Sequence, residues 1–157
     1  MAERDGDGWI HCICGHRHWG RHGAAGLVLG HRAGAQIEIL LQLRAAWTHQ
    51  GSSWGVPGGA RDSHENVVNA ALREAQEEVG TVDGEITVRD TLTGVDHLIW
   101  SYAYVLGRSD TRLAVSACTE ETVEARWVPL DEVARLPLHP GLREAWPRLQ
   151  PWIITGL

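Results

Sequence analysis

Residues 58–81 read GGARDSHENVVNAALREAQEEVGT, and this stretch determines how the rest of the chain is interpreted. Helical rotation of about 100° per residue brings its apolar side chains onto one arc, formed by Val68, Ala71, Leu72, Ala75 and Val79. The same rotation brings three carboxylates to one side of the helix: Glu74, Glu77 and Glu78. The stretch therefore predicts an amphipathic helix with an apolar stripe for the core and an acidic stripe beside it.

The acidic stripe destabilises the helix, so its presence indicates that these carboxylates have a chemical role. Glu74 and Glu78 are like charges at i,i+4 spacing, which destabilise a helix by roughly a few tenths of a kcal/mol. They also lie in the last turns, where the helix dipole disfavours anions. Mg²⁺ prefers a few carboxylates combined with waters and substrate phosphates. A solvated acidic face explains such a cluster taken alone, whereas the neighbouring residues favour a metal site.

Those neighbouring residues make the stretch similar to the Nudix box of the Nudix hydrolase family. That signature is Gly-x5-Glu-x7-Arg-Glu-U-x-Glu-Glu-x-Gly-U, where U is usually aliphatic. Its fixed positions are filled by Gly59, Glu65, Arg73, Glu74, Glu77, Glu78 and Gly80. Ala75 and Thr81 at the U positions are mild departures. The preceding residues 54–59, WGVPGG, are also typical of the family, and the resemblance covers about residues 24–150.

The predicted elements are two strands, the box helix, further strands and a late helix. The strands are predicted over residues 24–29, 37–44, 85–93 and 96–106. The first two would pair as a hairpin, and a terminal helix over 142–150 is expected to be interrupted or kinked by Pro147. This pattern alone predicts an α+β or α/β fold. The resemblance implies an α/β/α sandwich with a mixed β-sheet.

The resemblance also implies a divalent cation, Mg²⁺ with Mn²⁺ as an alternative, bound by the carbonyl of Gly59 and the carboxylates of Glu74, Glu77 and Glu78. A glycine suits that position because the backbone must approach the metal and the phosphates closely. Arg73 either pairs with Glu77 along the helix or holds a glutamate in its metal-binding pose. Asp62 followed by Glu65 resembles a capping box with the aspartate at the cap.

A glutamate from the loop before the last strand is expected to join the box carboxylates, again by resemblance. Its position six residues before Trp127 indicates Glu121. Glu120 and Glu124 stay open as alternatives, because one chain does not fix the register of the loop. In the implied mechanism, Glu74 or Glu121 accepts the proton of the attacking water. The candidate catalytic residues are therefore Arg73, Glu74, Glu77 and Glu121.

The candidate substrate-binding residues are Arg44, Trp54, Gly58 and His139. Arg44, near the end of a predicted strand, would meet a phosphate or a base, with a surface salt bridge as the alternative. Trp54 is either a core anchor or a wall of the base pocket. MutT-type members often use an asparagine in the late segment to read an oxidised guanine, where this chain has His139 and Pro140. The identity of the base therefore stays open.

Several segments resemble a branch of MutT-type nucleoside triphosphate pyrophosphatases from actinobacteria: GDGW, HWGRHGAAGL, LLQLRA, SSWGVPGGARDSHE and LPLHPG. Members of that branch are linked to the removal of oxidised or modified nucleoside triphosphates. The resemblance implies metal-dependent hydrolysis of such a triphosphate, for example one like 8-oxo-dGTP, to the monophosphate and pyrophosphate. Two alternatives stay open. One is hydrolysis of ADP-ribose or a nucleotide sugar, with a pocket at a dimer interface, and the other is a non-catalytic module that senses nucleotides.

Composition predicts one soluble domain over residues 1–157, with 43% hydrophobic and 22% charged residues. The net charge of −6 disfavours binding to a nucleic-acid polymer. No apolar run approaches the roughly 18 residues of a membrane helix, and no signal-peptide core is evident. We therefore expect a cytoplasmic protein without a membrane partner, whose oligomeric state, monomer or homodimer, is open.

Residues 1–23 are predicted to form a polar, glycine-rich N-terminal arm. The arm contains two cysteines, Cys12 and Cys14, and four histidines, His11, His16, His18 and His22. The Cys12-x-Cys14 spacing is tighter than the usual Cys-x₂₋₄-Cys of zinc sites, and the sequence offers no distant pair of cysteine or histidine to complete the site. We therefore expect a short strand or an extended arm here, and not a zinc site.

Overall fold

A mixed β-sheet carries most of the predicted site, and a small two-stranded sheet precedes it. The structure is a computed structural model and describes residues 4–157. Its strands are β1 Trp9–His11, β2 Arg17–Trp19, β3 Ala24–Ala33, β4 Gln36–Arg44, β5 Trp54–Gly55, β6 Gly58–Ala60, β7 Thr87–Asp96, β8 Ser101–Ser109 and β9 Thr122–Pro129. Its α-helices are α1 Val67–Val79 and α2 Pro140–Gly156, and short 3₁₀ helices span Asp83–Glu85 and Leu130–Arg135.

The larger sheet is mixed because β3 and β8 run parallel while the other paired strands are antiparallel. Its main path follows the order β5-β4-β3-β8-β7, with β6 paired to β3 and β9 paired to β4. β3 and β4 form the predicted hairpin, in register from Gly30 opposite Ile39 to Ala33 opposite Gln36. This arrangement brings β6 and the end of β4 next to the box helix.

Alternate residues of the central strands face two hydrophobic layers, one under each α-helix. Leu40 in β4 faces α1, whereas its neighbours Ile39 and Leu41 face α2. The buried helix residues of the first layer are Ala70, Ala71, Ala75 and Val79. Those of the second layer are Leu142, Trp146, Leu149 and Ile153. The predicted α/β/α sandwich with a mixed sheet is therefore confirmed.

The prediction that Asp62 caps the box helix is wrong. The cap is Asn66, whose side-chain oxygen accepts a hydrogen bond from the Asn69 amide at 2.8 Å. Asn66 has the extended backbone conformation that a cap requires, whereas Asp62 is buried and accepts a hydrogen bond from the Gly6 amide at 2.8 Å. Gly80 ends α1 in the left-handed conformation, with φ 77°, which glycine adopts without strain.

The terminal helix, α2, is longer than predicted and is not interrupted at Pro147. It runs to Gly156 and contains both Pro147 and Pro151. Each proline removes one helical hydrogen bond, but four buried side chains at three- and four-residue spacing hold the helix on the sheet. Tertiary packing thus outweighs the local proline penalty. Neither α2 nor any other helix within residues 4–157 is long and apolar enough to cross a membrane.

The N-terminal arm contains a β-hairpin, which agrees with the short strand expected there. β1 pairs with β2, and the rings of Trp9 and Trp19 meet edge to face with centroids 5.2 Å apart. The Arg21 amide donates to the Gly6 carbonyl at 2.7 Å, so the residues before the hairpin fold back along it. Residues 6–21 of the arm therefore form a folded part of the structure.

A turn between β7 and β8 lies against this hairpin, where the sequence predicted a continuous strand over 96–106. The His97 amide donates to the Trp100 carbonyl at 2.8 Å, which closes the turn, so β8 begins only at Ser101. The Trp100 indole donates to the Trp19 carbonyl at 3.1 Å. The turn and the N-terminal hairpin are therefore in direct contact.

Candidate active site

The box arginine, Arg73, binds Glu65 through two parallel hydrogen bonds. Its Nε donates to one carboxylate oxygen at 2.7 Å and its Nη2 donates to the other at 2.9 Å. Nη1 donates to Glu74 at 2.9 Å, and Nη2 also donates to the Ala60 carbonyl at 2.9 Å. The nearest approach to Glu77 is longer, 3.4 Å. Of the two roles predicted for Arg73, the geometry favours the one of holding glutamates in place.

The Glu74 carboxylate lies directly against the backbone of Gly59 on β6. A Cβ atom at position 59 would lie 2.6 Å from the Glu74 carboxyl carbon, so any larger residue would displace that carboxylate. Glu74 is only 7% exposed. Burial raises the pKa of its carboxyl although Arg73 lies beside it. The two predicted metal ligands Glu74 and Gly59 are therefore adjacent, and this adjacency requires glycine.

Glu78 is held from the sheet by Gln42 of β4. The Gln42 amide donates to Glu78 Oε2 at 2.6 Å, while the Gln42 oxygen accepts from the Thr122 hydroxyl at 3.1 Å. The Gly58 amide lies 3.4 Å from the same carboxylate oxygen. Burial, followed by the charge of Glu74, raises the pKa of Glu78 to about 8. Without a cation, this carboxyl therefore keeps its proton close to neutral pH.

Glu77 is the exposed carboxylate of the three, and the N-terminal segment reaches it. Arg4 Nη1 donates to Glu77 at 3.1 Å, and Arg4 Nη2 lies 3.6 Å from Glu74. The Nε of Arg4 pairs with the buried Asp62 at 2.9 Å. Two arginines, Arg4 and Arg73, thus offset part of the negative charge of the carboxylate cluster.

The composition of this cluster fits the hard divalent cation that the sequence predicts. Mg²⁺ prefers oxygen ligands, with a few carboxylates leaving room for water and substrate phosphates. The missing side chain at position 59 leaves the space in which the Glu74 carboxylate meets the backbone. The residues that could hold the cation are Gly59, Glu74, Glu77 and Glu78.

Arg44 and His139, two predicted substrate-binding residues, lie in one neighbourhood. Arg44 donates from Nε and Nη2 to the His49 carbonyl at 3.2 and 3.0 Å, so its partner is a backbone oxygen and not a surface carboxylate. His139 precedes α2, and its Nδ1 accepts a hydrogen bond from the Gly141 amide at 3.1 Å. Burial, followed by the positive charge of Arg44, lowers the pKa of His139 to about 4. The imidazole is therefore neutral at pH 7.

The other two predicted substrate-binding residues, Trp54 and Gly58, are enclosed by the fold. Trp54 is 6% exposed in the α2-side layer, with the Arg126 guanidinium 4.8 Å from its ring centroid. This placement favours the core-anchor alternative for Trp54. A Cβ at Gly58 would lie 2.5 Å from the Ala25 carbonyl oxygen, so the pairing of β6 with β3 requires glycine there. Gly58 reaches the site through its amide, which faces Glu78.

The loop before β9 lies beside the C-terminal turn of α1, to which it is tied by backbone hydrogen bonds. Glu120 and Glu121 are exposed at the end of this loop. Glu124 pairs with Arg126 at 2.8 Å. The next residue, Ala125, packs in the α1-side layer, so Glu124 points to the opposite face of the sheet. Glu121 therefore stays the candidate loop glutamate, with Glu120 as the alternative.

Three residues that shape the site had no predicted role in it: Arg4, Gln42 and Asp62. Gln42 carried a usable signal, because it is a polar residue inside the apolar run of β4 and needs a partner when buried. Asp62 was assigned to the helix cap, because its spacing to Glu65 fits a capping box. Arg4 lies far from the box in sequence, and no local pattern connects it to the glutamates.

Known proteins are similar to this chain in sequence and in fold. Residues 20–149 match the family described as NUDIX domain. The chain is 45% identical to the Mycobacterium tuberculosis protein named "Putative 8-oxo-dGTP diphosphatase 3", over 93% of this chain and 70% of that protein. It is 36% identical to the "Nucleoside triphosphate pyrophosphatase/Nudix hydrolase fusion protein" of Bifidobacterium longum, over 94% of this chain and 31% of that protein. The crystal structure of the Nudix hydrolase RenU from M. smegmatis matches with a TM-score of 0.90 and 43% identity, over 96% of each chain.

Proposed function

The chain belongs to the Nudix family and is a Nudix hydrolase, and on this premise we propose that it hydrolyses a modified or oxidised nucleoside triphosphate to the monophosphate and pyrophosphate. The observation that carries the proposal is the contact of the Glu74 carboxylate with the Gly59 backbone, beside Glu77 and Glu78. The 45% identity to a relative named for 8-oxo-dGTP supports the substrate class. The net charge of −6 supports free nucleotides over nucleic-acid polymers.

In this proposal, Glu74, Glu77, Glu78 and the Gly59 carbonyl hold Mg²⁺ or Mn²⁺. When bound, such a cation neutralises charge on the pyrophosphate and acidifies water. The chain's own residues keep the ligands in position: Arg73 fixes Glu74, and Gln42 fixes Glu78. This positioning matters because catalysis of this kind depends mainly on charge neutralisation and orientation.

Two glutamates are proposed to accept the proton of the attacking water. Glu74 is a candidate because its carboxylate lies against the Gly59 backbone, beside the proposed cation and the water that it acidifies. Glu121 is the other, because its exposed loop borders α1. On the substrate side, Arg44 supplies positive charge, and the neutral His139 offers its Nε2 for a hydrogen bond to the base or the sugar.

The experiment that tests this proposal measures phosphate and pyrophosphate release in the presence of Mg²⁺. The substrates are oxidised and normal nucleoside triphosphates, ADP-ribose and nucleotide sugars. We expect a modified triphosphate to give pyrophosphate with the highest kcat/KM, and Glu77→Gln to lose at least about 100-fold of this activity. The matched control is Glu144→Gln, which alters an exposed glutamate on α2 and should retain full activity.

Each outcome of this experiment selects between the alternatives. Preferential turnover of ADP-ribose or a nucleotide sugar would support the proposed catalytic residues but contradict the proposed substrate class. Tight nucleotide binding without turnover of any compound would contradict the proposal and favour a nucleotide sensor. Release of phosphate instead of pyrophosphate from the triphosphate would show attack at a different phosphorus atom.

A further inference from the structure

Four metal-ligating side chains meet outside the active site, between the N-terminal hairpin and the β7–β8 turn. They are Cys12, Cys14, His18 and His97, and their potential ligand atoms all lie within 4.8 Å of one another. Cys12 Sγ is 3.2 Å from His97 Nδ1, and Cys14 Sγ is 3.2 Å from His18 Nε2. None of the four belongs to the box or to its neighbours in the site.

The distances suit one tetrahedral ion. Zinc binds thiolate sulfur at about 2.3 Å and imidazole nitrogen at about 2.0–2.1 Å, so the sulfur–nitrogen edge of its tetrahedron is about 3.6 Å. Both short sulfur–nitrogen distances in the cluster are 3.2 Å, close to that edge. Two separate thiol–imidazole hydrogen bonds would account for each pair but not for the meeting of all four atoms.

Local hydrogen bonds and ring stacking orient these side chains towards one another. The turn after β1 is closed by the Cys12 amide, which donates to the His16 carbonyl at 2.9 Å. The Cys14 amide lies 3.5 Å from Cys12 Sγ, where it can stabilise a thiolate. The His18 ring stacks on Trp100, with centroids 4.2 Å apart and planes at 13°. Ring stacking and turn hydrogen bonds fix ligand orientation, as the outer contacts of metal sites do.

His97 is presented by a turn with an unusual backbone. Leu98 has a φ of 70°, a conformation that is an outlier for a bulky residue, and the residue is 87% exposed. The Asp96 carboxylate accepts the Leu98 amide at 2.9 Å and helps to hold this shape. Because Leu98 is exposed, packing of its side chain does not offset the strained backbone. The conformation is better explained by its effect on the position of His97.

We propose that Cys12, Cys14, His18 and His97 bind a structural zinc ion, which fastens the N-terminal hairpin to the β7–β8 turn. Two thiolates and two imidazoles fill a tetrahedral site completely, which is typical of structural and not of catalytic zinc. The soft sulfur ligands also separate this site from the carboxylate site, which suits a hard cation. The two sites therefore take different metals.

This proposal departs from the expectation that the arm contains no zinc site. The short Cys-x-Cys spacing is real, but the site does not need a distant pair of ligands. His18 follows Cys14 by four residues on the same hairpin, and the fold supplies the one remaining ligand, His97, from a turn far along the chain. No sequence spacing connects that turn to the hairpin.

The first test is the zinc content of the untagged protein, purified under reducing conditions without added zinc and dialysed against a weak chelator. We expect about one zinc per chain in the wild type. Cys14→Ser and His97→Ala should each retain less than about a tenth of it. Cys118→Ser is the matched control, because this exposed cysteine lies outside the cluster and the variant should retain zinc fully.

A second test replaces zinc with Co²⁺. Because its main measurement is made on the wild-type protein, it does not require any variant to fold. Wild-type protein stripped of metal and titrated with Co²⁺ should show a thiolate-to-cobalt band and the intense visible bands of tetrahedral coordination, reaching saturation near one equivalent. Adding zinc should abolish both. His16→Ala tests the neighbouring histidine, whose Nδ1 is 3.9 Å from Cys14 Sγ, and should leave these spectra unchanged.

Several results would overturn the proposal. One is a wild-type protein that contains no zinc and gives no tetrahedral spectrum with Co²⁺. Another is zinc retained by both Cys14→Ser and His97→Ala, which would mean that the metal lies elsewhere. Loss of zinc from Cys118→Ser would likewise contradict the assigned ligands. These readouts do not involve hydrolysis, so they stand apart from the proposed function.

Discussion

Arg73 donates hydrogen bonds to both carboxylate oxygens of Glu65, at 2.7 and 2.9 Å. The third nitrogen of the same guanidinium donates to Glu74 at 2.9 Å. Glu65 therefore orients Arg73, and Arg73 in turn positions a proposed metal ligand. The contact also holds the pKa of Glu65 below its usual range, so Glu65 stays charged.

We predict that Arg73→Lys lowers kcat by about 10- to 100-fold with a smaller change in KM. Lysine keeps the charge but lacks the planar fork that binds a carboxylate through two bonds, so Glu74 loses its fixed position. Steady-state kinetics on the preferred substrate measures the effect. Arg135→Lys, at an exposed position, is the control and should behave as wild type. An unchanged kcat in Arg73→Lys would mean that a positive charge at position 73 is enough to position Glu74, without the planar guanidinium.

Gly59→Ala is predicted to reduce activity severely, by at least about 100-fold. The new methyl group would lie 2.6 Å from the Glu74 carboxyl carbon, so either the carboxylate or the backbone must move. Binding of Mn²⁺, followed by its electron paramagnetic resonance signal, should weaken in parallel. Gly84→Ala is the matched control, because nothing lies within 4 Å of its new methyl group. Equal activity of the two variants would refute the role given to Gly59.

The box helix and the central hairpin were predictable from local periodicity and a contiguous motif, whereas the sandwich was predictable only through the family resemblance. The N-cap residue of α1 was not predictable from sequence, because Asp62 and Asn66 are both good capping residues and only tertiary contacts decide between them. Asp62 is drawn away by Arg4 and the Gly6 amide. The length of α2 was missed for a similar reason, because the buried face that holds it past Pro147 is defined by the sheet.

Within the candidate site, the motif predicts the three box glutamates with Arg73 and Gly59, but it does not predict the contacts of Gln42 and Arg4. Gln42 and Arg4 reach Glu78 and Glu77 only through the fold. The Cys/His cluster shows the same limit, since His97 reaches it from the turn between β7 and β8, far from the two cysteines in sequence. Periodicity and motifs describe residues that are close in sequence. The contacts of Gln42, Arg4 and His97 join residues that are distant in sequence and depend on how the fold brings them together.

The stability of the metal-free protein is predicted to fall as pH rises towards 8, because of Glu78. Its pKa is 4.5 when unfolded and about 8 when folded, so the folded state binds this proton more tightly. The stabilisation is complete below pH 4.5 and is lost as pH rises through about 8. Glu78→Gln resembles the protonated form, so its melting temperature should depend less on pH over this range.

Binding of Mg²⁺ is predicted to oppose this loss of stability at high pH. A cation favours the ionised carboxylate, so Mg²⁺ at pH 8 should raise the melting temperature of the wild type. Glu78→Gln should respond much less, and Glu144→Gln, which changes an exposed glutamate on α2, should follow the wild type. If the metal-free wild type and Glu78→Gln have parallel pH profiles, the burial of this carboxyl has no energetic consequence.

Glu121 in the loop and Glu124 on β9 are predicted to contribute differently to activity. Glu124 pairs with Arg126 and points to the face opposite α1, so Glu124→Gln should retain kcat within about twofold. Glu121→Gln should lose at least about tenfold, because a proton acceptor is replaced. The pH dependence of kcat/KM in both variants provides the measurement. Loss in Glu124→Gln with none in Glu121→Gln would reverse the assignment and require the loop to rearrange around substrate.

His139 is predicted to stabilise the protein at neutral pH and to lose this effect in acid. Its Nδ1 accepts the Gly141 amide at the start of α2, so His139→Ala should cost about 1 kcal/mol at pH 7, measured by urea unfolding. The pKa is lowered from 6.5 to about 4 on folding, so the contribution is full above pH 6.5 and is lost as pH falls through about 4. The stability difference between the wild type and His139→Ala should therefore narrow over that range.

His139→Asn separates this capping role from the proposed role in substrate binding. Asparagine is a good cap and supplies its own acceptor, so the variant should be more stable than His139→Ala at pH 7. It lacks an imidazole Nε2, so KM should still rise if His139 contacts the substrate. A variant with wild-type stability and wild-type KM would restrict His139 to the helix cap. A raised KM with unchanged stability would assign the ring to the nucleotide.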